Sequence, residues 1–241
     1  MSFDTDGFLR QLDDNVIVAL SDIDIRLTET AHPFETENGA AIAANWERET
    51  ASNPALFNGR VVLPMRARLE GDVLTGESRP VQFATLLYWA RQADNPGGIH
   101  LFAFAVPISR DNAIMAARMA SHTVNAGQIY CAAGSFEPED FTGGRMDFDA
   151  NTHREVMEET GLDLACARGE KGYWLLRQGN KVLLFRRYYF TEDAGALAER
   201  VDAHVASEDE PEIDGPVIIR RGEHHEGLTP HMRALIDWHF D

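Results

Sequence analysis

One stretch of nine residues, 154–162, constrains this chain more than any other part of its 241-residue sequence. Its composition favours a helix on which Glu155, Glu158 and Glu159 stand at positions i, i+3 and i+4 and therefore share one face. Like charges at this spacing destabilise a helix, whereas a hard cation such as Mg²⁺ binds carboxylate oxygens. Gly161 supplies the left-handed residue that commonly ends a helix. The pattern predicts a helix that carries a divalent-metal site.

The same residues form a motif. From Arg154 onward they read Arg-Glu-apolar-x-Glu-Glu-x-Gly-apolar, which resembles the core of the Nudix box of the pyrophosphate-cleaving Nudix hydrolases. The resemblance implies that Glu155, Glu158 and Glu159 bind Mg²⁺ or Mn²⁺, and that Glu155 has a catalytic role as well. It also implies that Arg154 orients a ligand glutamate and that the carbonyl group of Gly134 completes the metal shell.

The upstream half of the motif departs from the family pattern. Gly134 matches the first glycine of the box, but six positions later the chain has Asp140 where the family has a glutamate. Thirteen residues then precede the box arginine, six more than the pattern allows. The extra segment, 141–146, contains a Gly-Gly pair and is predicted to be a lengthened loop. Asp147 is the predicted N-cap of the box helix, with Asp149 as the competing cap. Whether Asp140 or Asp147 replaces the missing glutamate stays open at this stage.

Further candidate site residues lie outside the box helix. Enzymes of this family often bring an acidic residue over the site from a loop late in the domain, and Glu210 and Glu212 are the candidates for this general base, with Glu208 behind them. The alternative interpretation of this acidic cluster is a solvated loop. Glu137 matches a common family position three residues after the box glycine, and Arg118 ends a predicted strand that leads toward the site. Both are predicted to contact the substrate.

The order of predicted elements indicates the fold class. Three strands precede the box helix, and a strand pair, a helix, a short strand at Val217–Ile219 and a closing helix follow it. This order is similar to that of the Nudix fold and predicts an α+β, α-β-α sandwich with a mixed β-sheet between helices. Residues 97–241 are predicted to form the Nudix hydrolase domain. Residues 1–96, with a predicted helix from Pro80 to about Arg91, are predicted to form an N-terminal α+β extension packed on it.

Composition limits the partners and the location. The net charge of −17 argues against binding to nucleic acid or to an anionic membrane, because both require a positive surface. The N-terminus lacks a positively charged start followed by an apolar run, and no run of 18 apolar residues occurs. A cytoplasmic location is therefore expected. The sequence leaves the oligomeric state open, with a homodimer as one option.

The predicted function is Mg²⁺-dependent cleavage of the pyrophosphate bond in a nucleoside diphosphate linked to another moiety. Trp46 and the run 53–59 resemble the N-terminal part of Nudix enzymes that act on UDP-sugars, so a UDP-sugar is the first substrate expected. ADP-ribose, a dinucleotide and a coenzyme A derivative are alternatives. A non-catalytic Nudix-fold regulator that binds nucleotides is the alternative from a different class.

Overall fold

The computed structural model describes residues 5–92 and 98–241. The helices are α1 (Asp6–Leu9), α2 (Pro33–Ser52), α3 (Phe83–Ala90), α4 (Phe148–Thr160), α5 (Ala194–Val205) and α6 (Pro230–Phe240). The strands are β1 (Ile17–Leu20), β2 (Asp22–Leu27), β3 (Arg60–Glu70), β4 (Val73–Gln82), β5 (His100–Ile108), β6 (Ile114–Met119), β7 (Ile129–Tyr130), β8 (Ala133–Ser135), β9 (Phe141–Thr142), β10 (Arg145–Met146), β11 (Arg168–Gly169), β12 (Tyr173–Gln178), β13 (Lys181–Tyr189) and β14 (Ile213–Ile219).

The larger sheet is mixed. Its strand order is β1-β12-β13-β5-β6-β14, with β11 beside β13, β8 beside β5 and β7 beside β6. Strands β5 and β13 run parallel over their whole length, whereas the remaining pairs are antiparallel. These two central strands have nearly continuous apolar sequences because both of their faces are covered. Phe104 of β5 stacks on Phe185 of β13, with ring centroids 5.3 Å apart, in the centre of the core.

Helices cover both faces of the larger sheet. Successive side chains of β5 point to opposite faces. The Phe104 ring lies 5.9 Å from the ring of His231, so α6 covers one face. The neighbouring residue, Ala103, is paired with Gly134 of β8, and the Glu155 side chain of α4 lies against that glycine. Helix α4 therefore covers the other face. This arrangement confirms the predicted α+β class with a mixed sheet between helices.

A smaller sheet has the strand order β3-β4-β2-β10-β9. Strands β3 and β4 form a long antiparallel hairpin, and β2 runs parallel to β4. Helices α2 and α3 pack on each other beside this hairpin, through Phe34 against Tyr88 and Trp46 against Phe83, with ring centroids 6.0 and 6.4 Å apart. Three of the five strands therefore come from the N-terminal part of the chain.

The extra segment 141–146 is a β-hairpin, and the predicted loop is wrong on this point. Gly143 and Gly144 form its two-residue turn, with φ values of 58° and 76°. A tight hairpin turn of this kind needs positive φ at both central residues, which the Gly-Gly pair permits at little cost. Arg145 of the hairpin pairs with Arg26 of β2, so the insertion completes the smaller sheet.

Residues 5–92 pair with the rest of the described chain in both sheets. Strand β1 pairs with β12 and so adds an edge strand to the larger sheet. The hairpin inserted before the box helix adds two strands to the smaller sheet. The predicted boundary between residues 96 and 97 lies outside the described residues. The division into 1–96 and 97–241 therefore stays a prediction.

Two element boundaries differ from the predicted ones because strand pairing prevails over local sequence. Helix α3 begins at Phe83 rather than at Pro80, since β4 continues to Gln82 by pairing with Arg60 of β3. Strand β14 begins at Ile213 rather than at Val217, since it pairs along β6. In the part of the chain that the structure describes, no helix combines the length and the apolar character that crossing a bilayer requires.

Candidate active site

Helix α4 carries the central residues of the site. The Asp147 carboxylate accepts a hydrogen bond of 3.0 Å from the Ala150 amide, which makes Asp147 the N-cap. Gly161 ends the helix with φ of 66°, as its position in the motif predicts. The competing cap, Asp149, is instead bound to Arg186. Local sequence signals thus fix both ends of the helix.

The three glutamates of α4 have different environments. Glu159 is buried, and its Oε1 accepts a hydrogen bond of 3.2 Å from the Ala133 amide of β8. Its Oε2 is also buried and has no hydrogen-bond partner among the described residues. The Glu155 carboxylate lies so close to Gly134 that a Cβ atom at this position would collide with it. The Glu158 side chain is 61% exposed. The helix thus presents two inward carboxylates and one at the surface.

Asp140, not Asp147, binds the box arginine. Arg154 Nη2 lies 3.1 Å from Asp140 Oδ2, and the Asp140 side chain is only 4% exposed. The same carboxylate accepts hydrogen bonds from the Glu137 amide at 2.8 Å and from Asn151 Nδ2 at 2.9 Å. On its other side, Arg154 Nη1 lies 2.7 Å from Glu155 Oε1 and 3.4 Å from Glu158 Oε2. Arg154 therefore connects a buried aspartate to two of the three glutamates.

Burial and like charges disfavour the ionised carboxylates at this site. Burial raises the pKa of Glu155 to about 7, with Arg154 opposing the shift and Glu158 adding to it. Burial, together with the charges of Glu155 and Glu212, raises the pKa of Glu159 well above its usual range. Burial lowers the pKa of the Arg154 guanidinium, but the surrounding carboxylates, led by Glu155, outweigh that effect and raise it. If all of these carboxylates were ionised, their negative charge would exceed the single positive charge of Arg154.

Of the other predicted residues, the structure brings Glu137 and Glu212 within electrostatic reach of α4 side chains. Burial raises the pKa of Glu137, which Arg154 lowers in part, so Glu137 lies within the electrostatic reach of the box arginine. Glu212 is close enough for its charge to act on Glu159. Glu208 and Glu210 are exposed in the turn that precedes β14. Arg118 donates a hydrogen bond of 3.2 Å to the Gly127 carbonyl, in the loop before β7.

The donor set fits a hard divalent cation. As the side chains stand, the described residues contain no group of three or more acidic, histidine or cysteine side chains placed to share an ion, and Arg154 lies between Glu155 and Glu158 instead. However, the buried Glu159 Oε2 lacks a hydrogen bond from the described residues, and the Glu155 carboxylate faces the backbone of Gly134. Carboxylate and carbonyl oxygens are the ligands that Mg²⁺ prefers.

Three contacts of the site did not emerge from the sequence. The Ala133 amide binds Glu159, Asn151 binds Asp140, and His204 of α5 donates through Nε2 to the Glu158 carbonyl at 2.8 Å. Asn151 lies one helical turn before the box arginine, and this spacing is a signal that could have identified it. The contacts of Ala133 and His204 depend on how the strand and α5 pack on the helix, which the local sequence does not show.

Among known proteins, this chain is similar to several proteins of solved structure. No protein-family model matches the chain, and no curated protein matches it. A MutT protein from Methanosarcina mazei Go1 is 15% identical, with 59% of this chain and 93% of that chain covered and a TM-score of 0.40. A Nudix hydrolase from Nitrosomonas europaea is 14% identical, with 58% of this chain and 69% of that chain covered and a TM-score of 0.36. DR0079 from Deinococcus radiodurans is 10% identical, with 76% of this chain and 99% of that chain covered and a TM-score of 0.41. At these identities and TM-scores, the similarities carry no weight for activity or substrate.

Proposed function

We propose that this chain is a Nudix hydrolase that cleaves the pyrophosphate bond of a nucleoside diphosphate linked to another moiety. The main support is the inward-facing pair of carboxylates on α4, of which Glu159 is buried and Glu155 has a side chain only 14% exposed. Both are held against β8 by a helix whose arginine is bound to a buried aspartate. Burying two carboxylates beside each other costs free energy, so a fold that maintains them without a cation gains nothing in stability. A ligand that neutralises them explains their presence.

Glu155, Glu158, Glu159 and the carbonyl group of Gly134 are the residues that would hold Mg²⁺ or Mn²⁺. When bound, such an ion neutralises charge on phosphate oxygens and lowers the pKa of water. Arg154 serves in this proposal to orient Glu155, since the two side chains are 2.7 Å apart and Asp140 fixes the far side of the guanidinium. Asp140 thus takes the place of the first box glutamate.

A carboxylate outside the metal-binding set is the best candidate for the base that removes a proton from the attacking water. Glu212 is favoured over Glu210, because the charge of Glu212 acts on Glu159. A positioned base contributes roughly 10² to 10⁴ in rate. Glu212→Gln is therefore expected to lower turnover by at least about a hundredfold, with Glu210→Gln as the matched variant from the same turn. Normal turnover in both variants would move the role to Glu155.

For the substrate, a UDP-sugar remains the first choice, on the resemblance of Trp46 and the run 53–59. ADP-ribose, a dinucleotide and a coenzyme A derivative are the alternatives. Glu137 and Arg118 are the proposed substrate contacts. We also expect a cytoplasmic location and an N-terminal α+β extension at 1–96 packed on the domain 97–241, with a homodimer as one option for the oligomeric state.

The test is to incubate the protein with UDP-glucose, ADP-ribose, diadenosine diphosphate or coenzyme A, in the presence of either Mg²⁺ or a chelator. The nucleotide released from each compound is measured by chromatography. Hydrolysis of at least one compound that stops in the chelator is the expected result. The arrangement of Arg154 between two glutamates favours one second candidate, a regulator that binds nucleotides without cleaving them. Tight binding of a nucleotide with no turnover under any metal would establish that alternative.

A further inference from the structure

The segment 53–59, between α2 and β3, places an aromatic ring in solvent. The Phe57 side chain is 83% exposed. Among the described residues, the exposed large apolar side chains are those of Val16, Phe57, Val124 and Met157. An exposed phenylalanine is unusual because its ring carries a large apolar surface, and such surfaces commonly mark binding sites. The exposure of Phe57 therefore suggests that this side chain contacts a ligand.

Hydrogen bonds at both ends hold the segment that carries Phe57. Asn53 accepts from the Ala55 amide at 3.1 Å, in a local turn that starts the segment. At the other end, Asn58 Oδ1 accepts from the Ala84 amide and the Gly59 carbonyl accepts from the Phe83 amide, both at 2.8 Å. The Phe57 ring itself lies against Gly59, where an added Cβ would be 3.3 Å from the ring. The ring is exposed on an anchored segment, so its position is set before a ligand arrives.

One end of this segment leads to the arginine side of the candidate active site. The Val62 amide, at the start of β3, donates 2.9 Å to the Phe136 carbonyl. The next residue, Glu137, donates its amide to the Asp140 carboxylate that binds Arg154. The chain that carries Phe57 is thus joined by backbone contacts to the residues that hold the box arginine.

The other end leads to the opposite side of the same site. Asn53 Nδ2 donates 3.0 Å to the carbonyl of His122, in the loop between β6 and β7. At the start of that loop, the Ala120 amide donates 2.9 Å to the carbonyl of Glu212, whose charge acts on Glu159. The loop also exposes 55% of Val124. Hydrogen bonds therefore join the chain around segment 53–59 to Phe136 on one side and, through the loop between β6 and β7, to Glu212 on the other.

We propose that Phe57 is the platform on which the planar base of the nucleotide substrate stacks, with Val124 of the neighbouring loop as a second apolar contact. This inference rests on the proposed function, because it assumes that the diphosphate group occupies the α4 carboxylate site. A base offers a flat surface that matches one ring, and base–aromatic stacking tolerates different bases. Two isolated apolar side chains are too small a patch for a stable protein interface, which needs several hundred Å² on each partner.

The test compares Phe57→Ala with the unmodified protein on two kinds of pyrophosphate. One is the nucleotide compound that the unmodified protein cleaves fastest, and the other is P,P′-dimethyl pyrophosphate, which has no base. Loss of stacking is expected to lower kcat/KM for the nucleotide by about 10-fold to 100-fold, mainly through KM. For the base-free compound, kcat/KM of Phe57→Ala should stay within about twofold of that of the unmodified protein. Phe57→Trp should restore kcat/KM for the nucleotide. Val16→Ala, which removes another exposed apolar side chain, is the matched control.

Equal losses on both compounds, or no loss on the nucleotide, would overturn the stacking role. So would a Phe57→Ala protein that changes from dimer to monomer in sedimentation, since the ring would then bind a second copy of the chain. If the unmodified protein cleaves neither compound, the proposed function fails first. Calorimetric titration with UDP and ADP still tests Phe57 in that case, because a base platform predicts weaker binding of both nucleotides to Phe57→Ala.

Discussion

At the scale of single residues, the site depends on which aspartate each role requires. Asp140 and Asp147 are both acidic and both precede the box helix, but their contacts differ. Asp140 is buried and binds Arg154, Asn151 and the Glu137 amide. Asp147 caps the helix through the Ala150 amide. One residue positions a side chain of the site, whereas the other stabilises a helix end.

These two roles predict different consequences for two substitutions. Asp140→Asn removes the charge that holds Arg154 and should lower turnover at least about tenfold, with a loss of about 1–3 kcal/mol in the free energy of unfolding. Asp147→Ala removes only the cap and should cost about 1 kcal/mol of stability with turnover unchanged. Urea unfolding and steady-state kinetics on both variants measure the two effects. A loss of turnover confined to Asp147→Ala would reverse the assignment.

At the scale of elements, the hairpin 141–146 explains the irregular spacing of the motif. The six extra residues form β9, β10 and their Gly143-Gly144 turn, and they extend the smaller sheet. Arg145 binds Asp22 and the Ile23 carbonyl at 2.6 and 2.7 Å, which fastens the hairpin to β2. The insertion thus lengthens the connection between Asp140 and α4 while Asp140 still reaches Arg154.

The turn glycines provide a test of this interpretation. Gly143→Ala and Gly144→Ala each force an alanine into positive φ and should lower the free energy of unfolding by about 1–2 kcal/mol. Gly39, exposed within α2, is the matched control. Gly39→Ala should raise stability by about 0.5–1 kcal/mol, because alanine loses less backbone entropy in a helix. A neutral effect of both turn substitutions in thermal melts would show that the tight turn is not required.

Local signals predicted the elements whose ends are set by neighbouring residues. The cap at Asp147 and the stop at Gly161 identify α4, and apolar alternation identifies most strands. The pairing between distant segments could not be predicted from the sequence, because no residue near β1 specifies β12 as its partner and no residue near Arg145 specifies β2. The choice of Asp140 over Asp147 likewise depends on burial created by the fold. The sequence motif therefore identifies the carboxylates, whereas the contacts that support them can be seen only in the folded structure.

At the scale of the whole molecule, buried histidines make stability depend on pH. His32 is buried, and burial together with the charge of Arg79 lowers its pKa to about 4, with Glu35 opposing the shift. The folded-state pKa lies below the unfolded value of about 6.5, so the unfolded chain binds more protons between these two pH values. The contribution of His32 is fully present above about pH 6.5 and is lost as the pH falls toward 4.

We therefore expect His32→Leu to flatten the pH dependence of unfolding. Between pH 6 and 5 the free energy of unfolding of the variant should fall less steeply than that of the unmodified protein, by up to about 1.4 kcal/mol per pH unit. The slopes are compared rather than the absolute values, because the substitution also changes packing. The exposed His224→Leu is the control. Identical slopes in His32→Leu and the unmodified protein would show that His32 is not held neutral.

The dependence of nucleotide release on Mg²⁺ concentration shows whether the α4 carboxylates form a metal-dependent centre. We compare Glu158→Gln, Glu159→Gln and the unmodified protein. We expect the unmodified protein to require the ion, and each variant to turn over at least about a hundredfold more slowly while its melting curve shows an intact fold. Glu47→Gln, an exposed change on α2, should behave like the unmodified protein. Hydrolysis that persists in chelator, or near-normal turnover in Glu159→Gln, would contradict the assignment of the α4 carboxylates as a metal-dependent pyrophosphate-cleaving centre.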